Sequence, residues 1–401
     1  MTTFVQDGEG VSVTTTDSKG QDFTIQGKYL IGCDGAQSSI RNALSIKTSG
    51  VGHIRTMRSI LFKCPSIEGY LDKGFSQFSI EQPDFQAFLT TYRDGRWALM
   101  WDDESSELLS AERQKSMIVQ AIGRNMDDIE LLTEGKWRLC GAVADTFSAG
   151  RVFLAGDAAH TLPPNRGGWG ANTGIADVHN LAWKVDSVLR GVSASTLLAT
   201  YDIERRPVAL LRHDQIFLRN DYKEYAKGST WKAQQMGRSE PAIVDGVAME
   251  LGQIYKSSAI LLGVADPESL PEARRPDEWA GQPGTRAPHL PLERNGQIIS
   301  TLDLFFDGWV VLSEDAVWND ATGEARKHLG NGIECTFVNV GVDVKVVAGS
   351  QAFQDVFGVS ALGATLIRPD GHIAWRSRDK PDNPVLSLTE ALATVAELQR
   401  S

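Results

Sequence analysis

The sequence predicts an α/β chain: a parallel-sheet domain interrupted by an antiparallel-sheet domain and followed by a further α/β segment. Three observations carry this. Two short apolar runs, Tyr29–Cys33 and Val152–Ala155, end in Asp34-Gly35 and Gly156-Asp157 and lead into helical patterns. Buried parallel strands deliver loops to the carboxyl edge of a sheet in this way. Residues 58–101 alternate apolar and polar between turn signals, the period of antiparallel strands. Beyond Gly284 the chain returns to strand and helix patterns after a Pro/Gly-rich stretch.

In chain order, VSVTTT (11–16) and DFTIQGKYLIGCDG (22–35) read as strands around the turn cluster DSKG. Arg93-Asp94-Gly95-Arg96 reads as a hairpin turn. Residues 105–126 predict a helix, with Leu108, Leu109, Met117, Ile118, Ala121 and Ile122 at helical spacing. A Gly/Pro-rich loop from Thr161 to Gly170 leads into a long helix, Asn172 to Arg190. Its expected apolar face is Ile175, Val178, Leu181, Ala182, Val185, Val188 and Leu189. Helices are expected to continue through 195–260. Residues 264–291 read as linker, and 387–399 as a C-terminal helix.

Composition narrows the partners. The 401 residues carry 40 Lys+Arg and 51 Asp+Glu, so the net charge is 40 − 51 = −11. That balance disfavours nucleic acid, whose phosphates need cationic neutralisation. No apolar run approaches the ~20 residues of a spanning helix. The N-terminus lacks the basic start and apolar stretch of a secretory signal. Cys33, Cys64, Cys140 and Cys335 are dispersed, without C-x-x-C, which fits buried thiols in a reducing compartment. A cytoplasmic location is the expectation, with no metal site.

Two constellations could carry chemistry. In the first, Gly32-Cys33-Asp34-Gly35 precedes a small-residue helix start and Arg41. Exposed N–H groups there can hold an anion, and Asp34 is placed to accept from sugar hydroxyls. The competing reading is an Asp-Gly turn with Ser38 as N-cap. The second runs from Gly156-Asp157-Ala158-Ala159-His160 through Pro163-Pro164 and Gly167-Gly168 to Gly170-Ala171-Asn172. Its small residues permit close backbone approach to a flat ligand, and the helix that follows aims its positive end at the loop.

Residues 29–41 and 151–184 resemble the Asp-Gly and Gly-Asp motifs of the class A flavoprotein monooxygenases, the family of para-hydroxybenzoate hydroxylase and phenol hydroxylase. The Asn-Leu-Ala-Trp-Lys run at 180–184 belongs to the resemblance, which covers roughly 10–215. It implies a partial FAD-binding Rossmann-like domain, an antiparallel-sheet substrate domain and a C-terminal thioredoxin-like domain. The expected boundaries are 1–45 and 151–263 for the FAD segments and 46–150 for the substrate domain. A linker at 264–284 and the thioredoxin-like domain at 285–401 complete the division. By resemblance, Asp157 binds the ribityl chain, while Pro164, Gly167, Gly168, Gly170, Ala171 and Asn172 line the flavin ring. Gly156 belongs to the same turn. Asp34, Gly35 and Arg41 fall near the FAD pyrophosphate, and Asp34 is also linked to NAD(P)H use. Lacking C-x-x-C, the C-terminal domain is expected to serve packing or homodimerisation.

The implied reaction is hydroxylation of a phenolic or polycyclic aromatic, polyketide-like substrate with FAD, NAD(P)H and O2. Epoxidation and Baeyer–Villiger insertion are alternatives on the same fold. A non-catalytic binding or scaffold protein is the alternative of another class. Arg58, Gln77, Phe78, Tyr92, Trp97, Met100 and Trp101 are candidate substrate-wall residues. No catalytic base is identifiable, and His160 reads as structural. The sequence departs from the family in lacking the strand–G-x-G-x-x-G–helix unit that seats the pyrophosphate. The expectation is a chain short of that half; supply by another chain and loss of FAD are the alternatives. Gln37 also stands where the family commonly has a basic residue.

Overall fold

The computed structural model describes residues 3–164, 168–229, 231–232, 242–330 and 332–398. The chain divides into two compact units, Val51–Gly141 and Met1–Gly50 with Ala142–Ser401.

The larger unit opens with an antiparallel meander of β1 (Thr3–Gln6), β2 (Val11–Thr16) and β3 (Asp22–Gly27). Alternation buries Val11 in the core and leaves Phe23 and Ile25 exposed. β4 (Leu30–Gly32) and α1 (Ser39–Ala43) follow. The side chain of Ser38 caps α1 by accepting from the Arg41 N–H at 2.9 Å.

The smaller unit is built on β5 (Thr48–Lys63), β6 (Gln77–Gln82), β7 (Phe85–Thr91), β8 (Arg96–Asp102) and β9 (Glu130–Ala144), with α2 (Ala111–Ile122). The strand order is β9-β5-β8-β7-β6. The β7–β8 hairpin turns where Arg93-Asp94-Gly95 predicted it, with Arg93 and Gly95 both at positive φ. Ile60, Phe62, Leu89, Trp97, Leu99 and Trp101 pack with Met117, Ile118 and Ala121 of α2. The helix is shorter than the predicted 105–126. Ser110 caps it and left-handed Gly123 ends it, so Leu108 lies outside and is 88% exposed.

The larger unit resumes with β10 (Ser148–Ala149), β11 (Val152–Leu154) and β12 (His160–Thr161). β11 pairs parallel with β4, Val152 opposite Leu30 and Leu154 opposite Gly32. β11 is wholly buried, as predicted. β4 is the sheet edge, so Ile31 remains 41% exposed rather than buried. α3 (Trp169–Leu189) and α4 (Ala199–Leu218) come next, then the short α5 (Gly246–Leu251) and α6 (Pro276–Trp279). α3 departs from its predicted apolar face: Ile175, Val178 and Leu189 are exposed, while Thr173, Asp177, Asn180 and Lys184 are buried with Leu181. The buried polar stripe is satisfied by partners on α4 and the C-terminal segment, described below. The Pro/Gly-rich stretch is not a loose spacer. Trp279 is buried and donates to the Gly252 carbonyl at 2.7 Å, and Gln282 and Thr285 are buried too.

The C-terminal segment contains β13 (Pro291–Arg294), β14 (Gln297–Ser300), β15 (Trp309–Ser313), α7 (Val317–Leu329), β16 (Cys335–Asn339) and β17 (Lys345–Val346). It ends with α8 (Phe353–Phe357), β18 (Ala364–Ile367), β19 (Ile373–Ser377) and α9 (Pro384–Val395). The main sheet runs β16-β15-β18-β19, with β15–β16 parallel across α7 and the other pairs antiparallel. Trp318, Leu388 and Leu392 bury its helices against Val311 and Leu366. Burial pushes the Cys335 thiol up to about 12, which suits a packing residue and not a redox thiol. Among the described residues, no helix is long and apolar enough to cross a membrane, and no group of acids, histidines and cysteines could hold a metal ion.

Candidate functional site

The Gly-Asp segment forms the centre of the site. β11 ends at Leu154, and Gly156–Ala158 make one 3-10 turn, with Gly156 at φ +60°. That backbone state favours glycine. Gly174 of α3 packs directly on it: a Cβ there would sit 2.9 Å from the Gly156 Cα. The turn therefore rests on the helix with no side chain between them. Asp157 follows, exposed, its carboxylate without a donor among the described residues. An open carboxylate beside a bare backbone turn suits a ligand rich in hydroxyls.

α3 supplies the second part. It starts at Trp169, three residues before the predicted Asn172, so Gly170, Ala171 and Asn172 occupy its first turn and not the preceding loop. Left-handed Gly168 precedes it, and among the described residues no side chain caps it. First-turn amides with the helix dipole behind them favour an anion, typically by ~0.3–1 kcal/mol. Pro164 is exposed, and its carbonyl accepts from the Tyr222 hydroxyl. Gly167 lies outside the described residues. Open acceptor, bare glycine contact and the positive end of α3 together fit the ribityl and ring portions of a flavin.

The Asp-Gly segment has a more structural part than expected. Asp34 Oδ2 accepts from the Ser39 N–H at 2.7 Å, the Ser39 hydroxyl at 3.1 Å and the Ile40 N–H at 3.2 Å. Burial raises the Asp34 carboxyl, but bonds from Ser38, Ile40 and Ser39 outweigh it and hold it below its ordinary value. Arg41 bridges the two motifs, donating to the Ala158 carbonyl at 2.8 Å and the Ala36 carbonyl at 2.9 Å. Gly35 supplies the positive φ of the turn between β4 and α1. The local alternative, with Ser38 as cap, thus describes the contacts of this segment.

A buried polar network missed by sequence reading stands behind the turn. Asp177 Oδ2 accepts from the Gly156 N–H at 3.1 Å and meets His160 Nε2 at 2.7 Å. Its Oδ1 accepts from Arg205 Nε at 2.8 Å. Burial raises the Asp177 carboxyl, yet Arg205 and His160 outweigh it and hold it below the usual range. His160 is therefore a buried structural partner. Next to Arg205 on α4, Glu204 takes Arg368 on both oxygens at 2.6 and 2.9 Å, and Lys184 at 2.8 Å. Asn180 donates to Glu204 at 2.6 Å and to Asp370 at 3.2 Å. The two shifts within the Lys184–Glu204 pair oppose each other. Burial raises Glu204, but Arg368 and Lys184 bring it well below its ordinary range; burial lowers Lys184 to about 8 despite Glu204. The geometry favours a charged Glu204 with Lys184 as its weaker cation, because Arg368 occupies both carboxylate oxygens. The usable signal in the sequence was polar residues at 173, 177, 180 and 184, one face of one helix.

In the smaller unit, the candidate wall residues divide by face. Directly paired residues share a face, and the pairs Arg58–Trp101 and Phe62–Trp97 lie with the α2 core. Trp97 and Trp101 are thus core residues, and Phe78 packs tilted against Trp97 at 6.2 Å. Arg58 is fully buried and consumed by Asp103, Glu134, the Ser105 hydroxyl and the Glu107 carbonyl. Tyr92 is 59% exposed at the hairpin, beneath the Arg96 guanidinium. These five are therefore placed as core, ion cluster and turn. Met100, with Ser59, Leu61, Phe88 and Ala98, occupies the face away from α2, and Gln77 shares its parity.

Comparison with known proteins agrees with this geometry. A family model described as an FAD binding domain matches residues 1–214, and one described as aromatic-ring hydroxylase, C-terminal, matches 280–397. A 4-methyl-5-nitrocatechol 5-monooxygenase of Burkholderia sp is 36% identical over 98% of this chain and 72% of its own length. A tetracenomycin A2 monooxygenase-dioxygenase of Streptomyces glaucescens is 34% identical over 98% of this chain and 70% of its own. Among solved structures, an aklavinone-11 hydroxylase in ternary complex with FAD and aklavinone superposes with a TM-score of 0.83 at 30% identity. The match covers 98% of this chain and 73% of that one. The glycine turn, the open Asp157 and α3 lie within the matched FAD-binding segment, and the chain belongs to the FAD-dependent aromatic-ring monooxygenases.

Proposed function

We propose that this chain hydroxylates a phenolic or polycyclic aromatic substrate, with NAD(P)H as electron donor and O2 as oxygen source. The observation that carries the reading is the Gly156–Asp157 turn seated on Gly174 of α3, with the exposed Asp157 carboxylate beside it. The relatives' names add the substrate class, since they include a nitrocatechol, tetracenomycin A2 and a polyketide. Bound FAD supplies the redox chemistry and the activation of dioxygen.

The chain's own residues hold and orient. Asp157 accepts hydrogen bonds from ribityl hydroxyls. The first-turn amides of α3, at Gly170 and Ala171, favour negative charge on the ring system, and Pro164 and Gly168 bound the approach. Asp34 fixes the start of α1, which keeps Arg41 bridging the two motifs. In the smaller unit, Leu61, Phe88, Ala98 and Met100 form an apolar strip suited to a flat aromatic, with the polar Ser59 and Gln77 on the same face.

The test titrates the purified chain with FAD, then adds NAD(P)H, oxygen and a panel of phenols and fused-ring phenols. A product about 16 mass units heavier, one added oxygen atom, is expected. Failure to take up FAD, or NAD(P)H consumption that yields only hydrogen peroxide, would overturn the reading.

A further inference from the structure

We propose that the C-terminal segment fixes the geometry of the flavin-binding turn through a continuous buried polar relay, with Asp177, Arg205 and Tyr255 as positioning residues. The inference rests on the reading that the Gly156–Asp157 turn holds FAD.

The relay runs without a break. The Gly156 N–H donates to Asp177 at 3.1 Å, and Arg205 Nε donates to the other Asp177 oxygen at 2.8 Å. Arg205 NH1 donates to the Tyr255 hydroxyl at 2.8 Å. Tyr255 stacks on His372, ring centroids 4.3 Å apart and planes 21° from parallel. His372 Nδ1 lies 3.4 Å from an Asp370 carboxylate oxygen, and Arg368 binds both Asp370 oxygens. The backbone reinforces the connection: the Tyr255 N–H donates to Gly284 and the Gly284 N–H to Ile373.

α4 makes the coupling mechanical. Glu204 and Arg205 are consecutive, yet they serve different ends of the relay. Glu204 is clasped bidentately by Arg368, while Arg205 clasps Asp177 and the Thr173 carbonyl. The grip of Arg368 therefore sets the position of Arg205. Asp177, Glu204, Arg205, Arg368 and Asp370 are each at most 4% exposed. Charges so buried tolerate little displacement, because a lost partner leaves an uncompensated ion in a low-dielectric interior. Gly156 precedes Asp157 directly, so holding the Gly156 N–H restrains the backbone from which the Asp157 side chain projects.

Amide hydrogen exchange on the full chain, with and without FAD, tests this in Tyr255→Phe and Arg368→Gln. Tyr255→Phe deletes only the hydroxyl that receives Arg205 and keeps the stack on His372. In both variants, exchange in residues 152–161 should rise by roughly threefold or more while strand 309–313 is unchanged. FAD affinity should fall by about fivefold or more, with a shift of the visible flavin band. Unchanged exchange at 152–161 in Tyr255→Phe overturns the relay, and so does a rise spread evenly over the chain. If Arg368→Gln does not fold, Tyr255→Phe decides. If the unsubstituted chain takes up no FAD, the functional reading fails, and exchange without FAD still decides the relay.

Discussion

Gly156 and Gly174 touch backbone to backbone: a Cβ on Gly174 would lie 2.9 Å from the Gly156 Cα. An ordinary helical glycine gains ~1 kcal/mol on becoming alanine. Here the neighbour is main chain, and a backbone shift costs typically ~1–3 kcal/mol. Gly174→Ala is therefore expected to lower stability by on the order of 1 kcal/mol, and to weaken FAD binding about tenfold by displacing the turn. Thermal melting and flavin fluorescence titration check both. A stabilised variant with full FAD affinity would show that the contact is dispensable.

Asp157 offers the opposite signature. Its carboxylate is exposed and has no donor among the described residues, so Asp157→Ala should leave stability within ~0.5 kcal/mol. A hydrogen bond to a charged group contributes ~1.5–3 kcal/mol, so FAD affinity should fall roughly 10- to 150-fold. Equilibrium unfolding without FAD and calorimetric titration with it separate the two effects. Loss of stability without loss of affinity would make Asp157 a structural residue.

The strand–turn–helix at 152–189 was legible because its signals are local: an apolar run, positive-φ glycines and a helical period. The stripe behind it was not. Thr173, Asp177, Asn180 and Lys184 are polar, and polar residues at helical spacing ordinarily mark a solvated face. Their partners outside the helix lie 17 to 190 positions away, from His160 on Asp177 to Asp370 on Asn180. Only the fold brings them together. The smaller unit failed differently. Its strands and hairpin followed from alternation, but alternation alone does not say which face a helix covers. α2 covers the face of Trp97 and Trp101, so residues chosen as large and aromatic proved to be core.

Arg58 and Asp103 give the smaller unit an acid-sensitive element. Burial raises the Asp103 carboxyl, but bonds from Ser105 and Arg58 outweigh it and hold the group at about 2. The folded chain then binds fewer protons than the unfolded chain between that value and the ordinary 3.8. The contribution is fully present above the unfolded value and is lost as pH falls through about 2. With one partner partly solvated, its size is on the order of 1 kcal/mol. Asp103→Asn should be less stable near neutrality, and its deficit should shrink as pH falls from about 4 toward about 2, the window between the unfolded and folded values. Urea unfolding across that range reads it. A constant deficit would remove Asp103 from the acid response.

The two faces of the substrate sheet make the last prediction. Trp97 is fully buried against α2, and truncating a core tryptophan costs ~3–5 kcal/mol. Trp97→Ala should therefore lose activity in proportion to lost folded protein, with KM unchanged in the fraction that folds. Met100 lies on the other face, paired with Ser59 and Phe88 and only half-buried. If that face holds the aromatic substrate, Met100→Ala should cost little stability and raise KM by about tenfold, the scale of one apolar contact at ~1–3 kcal/mol. Met100→Leu, which keeps the volume, should restore most of it. Steady-state kinetics beside unfolding curves distinguish the two residues. A Met100→Ala variant with unchanged KM for every phenol it turns over would place the substrate elsewhere.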